Sequence, residues 1–340
     1  MLIILKIRLI ILLICPFFIV NGINSKKIIV SFYNVENLFD TLDSDKTNDS
    51  EFTPNGKKNY TQNIYKDRIK NISFVISEIG NEYSSNGPNI IGLAEIENRN
   101  VLEDLIKHPN IINNNYSVVH YDSPDNRGID VALLYQSNNF DFQESKKFKV
   151  KLIDDDGKKI NTRDILLVSG KIQGEMTHLI VNHWPSRYGG KLKSEKFRKK
   201  SALTVNTIID SILYINPNHH IIIMGDFNDD PSDKSVTEIS SAFKSNSILN
   251  LYIDIHKKGI GTSNYKGNWN LFDQILVSKS LIKSRKSKNL VLGNVGIFNE
   301  PYLFQQRGKY KGYPFRAYGG NNYLGGYSDH FPIYIILESK

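Results

Sequence analysis

An α/β fold with two mixed β-sheets packed face to face and helices outside is predicted by three features of this 340-residue sequence. First, short apolar runs of strand length recur along the chain, bounded by polar or turn-forming residues. Second, two longer stretches space their apolar residues as a helix does. Third, six of the runs carry an amide, a carboxylate or a histidine at one end. In the first four, ending in Asn34, Glu95, His183 and the Asp226/Asn228 pair, that group lies toward the C-terminal end. In the last two, Asp273 and Asp329/His330, it lies at or near the start. If all six ends meet at one edge, the last two strands run antiparallel to the others and the sheets are mixed.

Residues 1–22 read as a secretory leader, with Lys6 and Arg8 as its positive segment and 9–20 as its apolar one. Val20-Asn21-Gly22 is a plausible cleavage site, and the apolar stretch is shorter than the ~20 residues a spanning helix needs. The only cysteine, Cys15, follows Ile14, a poor lipoprotein context, so residues 23–340 are expected to form one exported, cysteine-free domain. Residues 26–34 (KKIIVSFYN) read as a strand ending in an amide, and 40–63 as a polar loop around Pro54-Asn55-Gly56. Ile69, Ile72, Val75, Ile76 and Ile79 predict an amphipathic helix over 65–79. Residues 89–98 (NIIGLAEIEN) form a buried-type strand delivering Glu95 and Glu97, and 127–135 (RGIDVALLY) a strand with Arg127 at its mouth and Asp130 inside it. The DDDGK segment at 154–158 suits a hairpin turn, because Asp-Gly tolerates the positive φ required.

Residues 178–184 (HLIVNHW) predict another strand, followed by the basic, glycine-containing loop PSRYGGKLKSEKFRKK. Ser194 is expected to cap a helix running to about residue 214. His219 to Asp233, HHIIIMGDFNDDPSD, joins a core strand to a cluster of acids and amides. If the chain stays extended there, Asp226 and Asn228 point to one side. A carboxylate beside a neutral amide suits phosphate chemistry, since the first can deprotonate water and the second can donate to a phosphate oxygen. Residues 270–278 and 330–337 predict the last strands, and the segment between them is rich in Tyr, Gly and Arg over 299–329. Hydrophobic residues make up 40% of the chain and charged ones 23%, ordinary for a large packed core. Removing Lys6 and Arg8 from the net +8 leaves +6, which favours polyanionic partners.

Taken in order, Asn34 in SFYNVENL, Glu95 in GLAEIE, His183 in NHWPSR, Asp226 and Asn228 in GDFND, Asp273 in FDQILVS and Asp329-His330 in YSDHFP resemble the endonuclease/exonuclease/phosphatase superfamily. Those metal-dependent phosphoesterases include pancreatic-type deoxyribonuclease, abasic-site endonucleases and bacterial sphingomyelinases. The resemblance implies a four-layer αββα sandwich with the site at one edge of the two central sheets. It implies Glu95 as principal Mg²⁺ ligand (Mn²⁺ or Ca²⁺ being alternatives), with Asn34 and Asp329 in the metal shell. His330, oriented by Asp273, would meet the scissile phosphate or activate water. Asp226 would activate the attacking water, Asn228 would bind a phosphate oxygen, and His183 would be a candidate acid for the leaving oxygen. Arg127 is a candidate phosphate clamp and Asp130 a candidate partner for His183. Glu97 is expected at the rim, and His178, His219 and His220 as structural or solvated groups. The expected function is a secreted or periplasmic Mg²⁺-dependent phosphodiesterase, a DNA endonuclease in the first place. Arg187 and the lysines up to Lys200 would grip flanking phosphates. A phospholipid or sphingomyelin phosphodiesterase, or a phosphatase, is the alternative, and no stable protein partner is implied.

Overall fold

Period-two alternation sets the layering. In β1 (Lys27–Leu38), Ile28, Val30 and Phe32 face one way and Tyr33 and Val35 the other, and all are buried. A strand buried on both faces needs cover on both. The computed structural model describes residues 26–241, 248–282 and 290–339, and the leader expected at 1–22 lies outside them.

The first sheet continues with β2 (Ile90–Ile96), β3 (Tyr116–His120) and β4 (Asp130–Gln136). The chain then builds a second sheet from β5 (Asp141–Phe148), β6 (Ile165–Ile172), β7 (Glu175–His183), β8 (His220–Asp226), β9 (Ile248–Asn250) and β10 (Asp273–Ser278). β11 (Leu290–Ile297) and β12 (Ile333–Ser339) return to the first. The strand orders are β11-β12-β1-β2-β4-β3 and β9-β10-β8-β7-β6-β5. β1 is parallel to β2 and antiparallel to β12, while β8 is parallel to β7 and antiparallel to β10. The polar strand ends therefore do meet at one edge, in mixed sheets.

Three apolar cores separate four layers. Val30, Phe32 and Leu133 of the first sheet meet Leu179, Val181, Ile222 and Met224 of the second in the middle. Outside the first sheet, α1 (Gln62–Glu78) and α2 (Arg99–Ile106) bury Ile72, Val75, Ile76 and Leu102 against Ile91 and Leu93. Outside the second, α3 (Lys191–Ile215) and α4 (Lys234–Ser241) bury Ile208, Ile212, Val236 and Ile239 against Ile221 and Ile223. The sheets approach closely at Gly92, where an added Cβ would lie 2.8 Å from Met224 Sδ and 3.1 Å from a Val181 methyl.

Several elements do not emerge from the sequence pattern. β5 (DFQESKKF) is a largely exposed edge strand with no apolar face. β11 contains Gly293 and Gly296 and slips register between Leu292 and Asn294. The cap expected at Ser194 is corrected. α3 starts three residues earlier, behind Gly190 at φ +111°, so Ser194 lies in the first turn and its Oγ donates to the Gly190 carbonyl at 2.8 Å. Two residues of the basic loop, Ser194 and Arg198, are also internal. Arg198 is fully buried, its Nε 2.6 Å from Asp229 Oδ2.

Candidate active site

Strand register assembles the site. His183, Asp226 and Asp273 are direct neighbours in one row across β7, β8 and β10. Across the interface, Asn34 on β1 pairs with Ala94 on β2, one residue before Glu95. Phe32 pairs with Ile333, which brings Asp329 and His330 beside the end of β1, and Ser328 Oγ donates to the Asn34 carbonyl at 2.7 Å.

The first-sheet side of this edge is strained. β1 loses register between Asn34 and Leu38, and β2 pairs irregularly between Ala94 and Ile96. Glu36, Asn37 and Glu95 stand at φ +54°, +51° and +66°, conformations costing a non-glycine residue on the order of 1 kcal/mol or more. Tertiary contacts offset that cost. Arg68, buried on α1, donates to the carbonyls of Val35, Glu36 and Tyr327. The Glu36 carboxylate accepts the Ala317 and Tyr318 N–H groups at 2.7 and 3.1 Å. Glu95 Oε2 accepts the Asn37 N–H at 2.9 Å, and the irregular backbone leaves its Oε1 3.8 Å from His183 Nε2.

Asp226 is the hub. Its Oδ2 accepts from Asn34 Nδ2 at 3.1 Å and lies 3.7 Å from His183 Nε2 and 4.0 Å from His330 Nε2. Burial raises its pKa to about 7, with Asp273 adding to the rise and His330 opposing it. His330 Nδ1 sits 2.6 Å from Asp273 Oδ2. Burial pulls its pKa down, but Asp273, Asp226 and Asp329 outweigh burial and hold it well above the ordinary histidine value. His183 is the reverse, pushed well below that value by burial and by the charges of Arg163, Arg127 and His330. Its Nδ1 is buried without a hydrogen-bond partner among the described residues.

The remaining expected site residues fall into two groups. Arg127 is half exposed at the mouth, 3.5 Å from Asp125, and its charge is felt at His183. Asp329 is paired with Arg316, whose Nε lies 4.0 Å from Glu36 Oε1. Three expectations need correction. Asn228 does not follow Asp226 in extended chain. The strand ends at Asp226, Asn228 turns to φ +49°, and its Nδ2 donates to the Trp184 carbonyl while its backbone N–H meets Asp226 Oδ1 at 2.8 Å. Asp130 serves His120 and Ser123, not His183, because the neighbouring strand β3 places His120 Nε2 3.1 Å away. Arg187 is enclosed by Asp229, Asp230 and Asp233 and lies 4.4 Å over the Phe272 ring.

Sequence reasoning passed over Glu36, Arg68 and Arg163. Arg163 is buried and donates to the His183 and Trp184 carbonyls and to Asp125. Arg68 falls on the same helical face as Tyr65, Ile69 and Ile72, and that position was a readable sign of burial.

Two groups of ligand-type atoms lie within 4.8 Å of one another among the described residues, Asp226/Asp273/His330 and His120/Asp122/Asp130. Neither is the expected set of Glu95, Asn34 and Asp329. Of that set, Glu95 fits a hard divalent cation best, because its Oε1 accepts no hydrogen bond among the described residues. Asn34 Oδ1 already accepts the Glu36 N–H at 3.1 Å, and Asp329 is paired with Arg316.

The sequence matches the profile described as Endonuclease/Exonuclease/phosphatase family over residues 29–339. No curated protein matches it. Among solved structures, the chain is similar to D. rerio TDP2 complexed with single strand DNA product, with a TM-score of 0.57 and 14% identity over 92% of this chain and 98% of that one. It is similar to the human Nocturnin catalytic domain with bound sulfate anion, with a TM-score of 0.56 and 16% identity over 92% and 95%. A Bacteroides thetaiotaomicron mannosyl-6-phosphatase gives 0.56 and 19% identity over 91% and 99%. At these identities the structural likeness is one of fold.

Proposed function

This chain belongs to the endonuclease/exonuclease/phosphatase family, whose members are hydrolases of phosphoesters, and within it we propose a divalent-metal-dependent phosphodiesterase that cleaves DNA and is exported through residues 1–22. The observation that carries this reading is the line Asp273–His330–Asp226 at the meeting edge of two sheets, with Glu95 facing it across His183.

Asp226, with its pKa near 7, accepts the proton of the attacking water at Oδ2 far better than an ordinary carboxylate would. Asn34 holds that oxygen in place. His330, kept charged by Asp273, presents Nε2–H to a phosphoryl oxygen as negative charge builds there. His183 is neutral, so the acid role suits His330 better than His183. Arg127 at the mouth adds a further cation for a phosphate.

When bound by Glu95, with Asn34 and Asp329 beside it, a divalent cation supplies positive charge against the phosphoryl oxygens. Support for DNA comes from the basic net charge and from the D. rerio TDP2 structure that holds a single strand DNA product. The test is one set of assays on purified protein, with plasmid DNA, sphingomyelin vesicles and a phosphate monoester, each with and without EDTA. Nicking of plasmid that EDTA abolishes and Mg²⁺ or Mn²⁺ restores is the expected result. Hydrolysis of the monoester or the lipid with plasmid left intact would overturn the DNA reading, and full activity in excess EDTA would overturn the metal.

A further inference from the structure

Beside the catalytic histidine a groove of about 990 Å³ runs between the tip of the hairpin at 263–270 and the 305–316 segment. Tyr265 and Lys266 line one side, and Arg307, Lys309, Tyr310 and Tyr313 the other. At one end stand Arg316 and Asp329, the latter adjacent in the chain to His330.

The groove alternates rings and cations. Lys266 Nζ lies 5.3 Å from the Tyr265 ring centre and Lys309 Nζ 5.6 Å from that of Tyr310, while the Tyr310 and Tyr313 rings are 5.7 Å apart. Tyr265 and Tyr310 are 67% and 51% exposed. Among the described residues Lys266, Arg307 and Lys309 have no carboxylate partner, whereas Arg187, Lys191, Lys196, Arg198 and Lys199 in the basic loop after His183 each face one. We propose that this groove holds an unpaired nucleic-acid strand next to the scissile phosphate, making single-stranded DNA the preferred substrate. The proposal rests on the reading of the site as a DNA phosphodiesterase and adds the form of the substrate.

The chemistry selects that occupant. Exposed tyrosine rings offer stacking surface, and every unpaired base has a face to place on them, while the cations answer the phosphates between. A duplex keeps its base faces stacked inside and would leave these rings without a partner. A membrane would call for a protruding apolar lip, whereas this surface is concave and its rings end in hydroxyls.

The test compares wild type with Tyr310→Ala/Tyr313→Ala and with Tyr310→Phe/Tyr313→Phe. Turnover is measured on a single-stranded oligonucleotide, on its duplex and on bis(p-nitrophenyl) phosphate, and oligonucleotide binding is followed by fluorescence anisotropy in an Asp226→Asn background. The alanine pair should lower the ratio of single-strand to small-substrate kcat/KM at least about tenfold, mainly through KM, given the strength of base–aromatic stacking. The phenylalanine pair, which keeps the rings, should restore it. Wild type should prefer the single strand to the duplex, and the alanine pair should lose that preference. An unchanged ratio in the alanine pair, or a loss of sphingomyelin-vesicle binding with oligonucleotide binding intact, overturns the proposal. Wild-type hydrolysis of the small phosphodiester with no cleavage of any DNA would instead sink the DNA reading, and the anisotropy would still report on the groove.

Discussion

His183 and His330 flank the same oxygen of Asp226, at 3.7 and 4.0 Å, yet their surroundings drive them to opposite charge states. Behind His330 stands a carboxylate, Asp273, at 2.6 Å, and the ring stays charged. Around His183 are burial and the positive fields of Arg163 and Arg127, and the ring stays neutral. Distance to the reacting centre therefore does not decide what a histidine does there. The group behind the ring decides it.

The sharpest way to break this comparison is to remove each partner. His330→Ala and Asp226→Ala should each slow turnover by about 10²–10⁴-fold with folding intact by circular dichroism. Asp273→Asn should act through His330, so adding it to His330→Ala should cause little further loss. Losses that simply multiply would mean that the two groups do not work as a pair. A smaller, spectroscopic difference follows for the resting protein. In metal-free protein, NMR titration of the histidine ring signals should show His330 still charged above pH 7 and His183 still neutral well below pH 6.5. Matching titrations of the two rings would contradict the electrostatic contrast.

A third histidine extends the comparison away from the site. His178 is buried, with Ser169 Oγ 2.8 Å from Nδ1 and His219 3.0 Å from Nε2. Burial, with help from His219, lowers its pKa to about 4. The unfolded chain takes up that proton near pH 6.5, so the contribution to stability is intact above about 6.5 and is lost as pH falls toward about 4. Thermal melts of wild type should weaken across that window, and those of His178→Gln should weaken less. Identical slopes would mean that His178 is not held neutral. The smallest effect is expected in the basic loop. Lys196 already pairs with Asp155, and Lys199 lies 2.7 Å from Glu195. Neutralising both should leave the salt dependence of DNA binding nearly unchanged, whereas neutralising Lys266 and Lys309 should flatten it. The opposite ranking would place the strand on the loop rather than in the groove.

Much of the site was legible because strand ends are legible. Glu95, His183, Asp226 and Asp273 each close or open an apolar run, and a common edge follows from the directions those runs need. The direction of Asn228 was not legible, since alternation holds only while the chain remains a strand, and the chain turns at Phe227. Nor was the partner of Asp130, because His120 reaches it from β3, whose sequence lacks a strong pattern. Arg163 and Arg68 act on carbonyls far away in the chain, contacts that no local spacing encodes. The layering was clearer than the edges, where β5 carries few apolar residues to mark it and β11 is broken by Gly293 and Gly296 with a register slip.

The approach of the sheets at Gly92 has a consequence for the site itself. Gly92 lies three residues before Glu95, roughly 10 Å along β2, and the sulfur it touches belongs to Met224, two residues before Asp226. The two strands behave as the jaws of a calliper whose opening is set by one hydrogen atom. A methyl group at that position would press on the flexible Met224 side chain and on the stiffer Val181 and Phe32. Whatever strain Met224 does not absorb by moving would act on the span between Glu95 and the Asp226 row, without altering any group that meets the phosphate. The reach of the active site is thus gauged in the middle of the protein, where no ligand ever arrives.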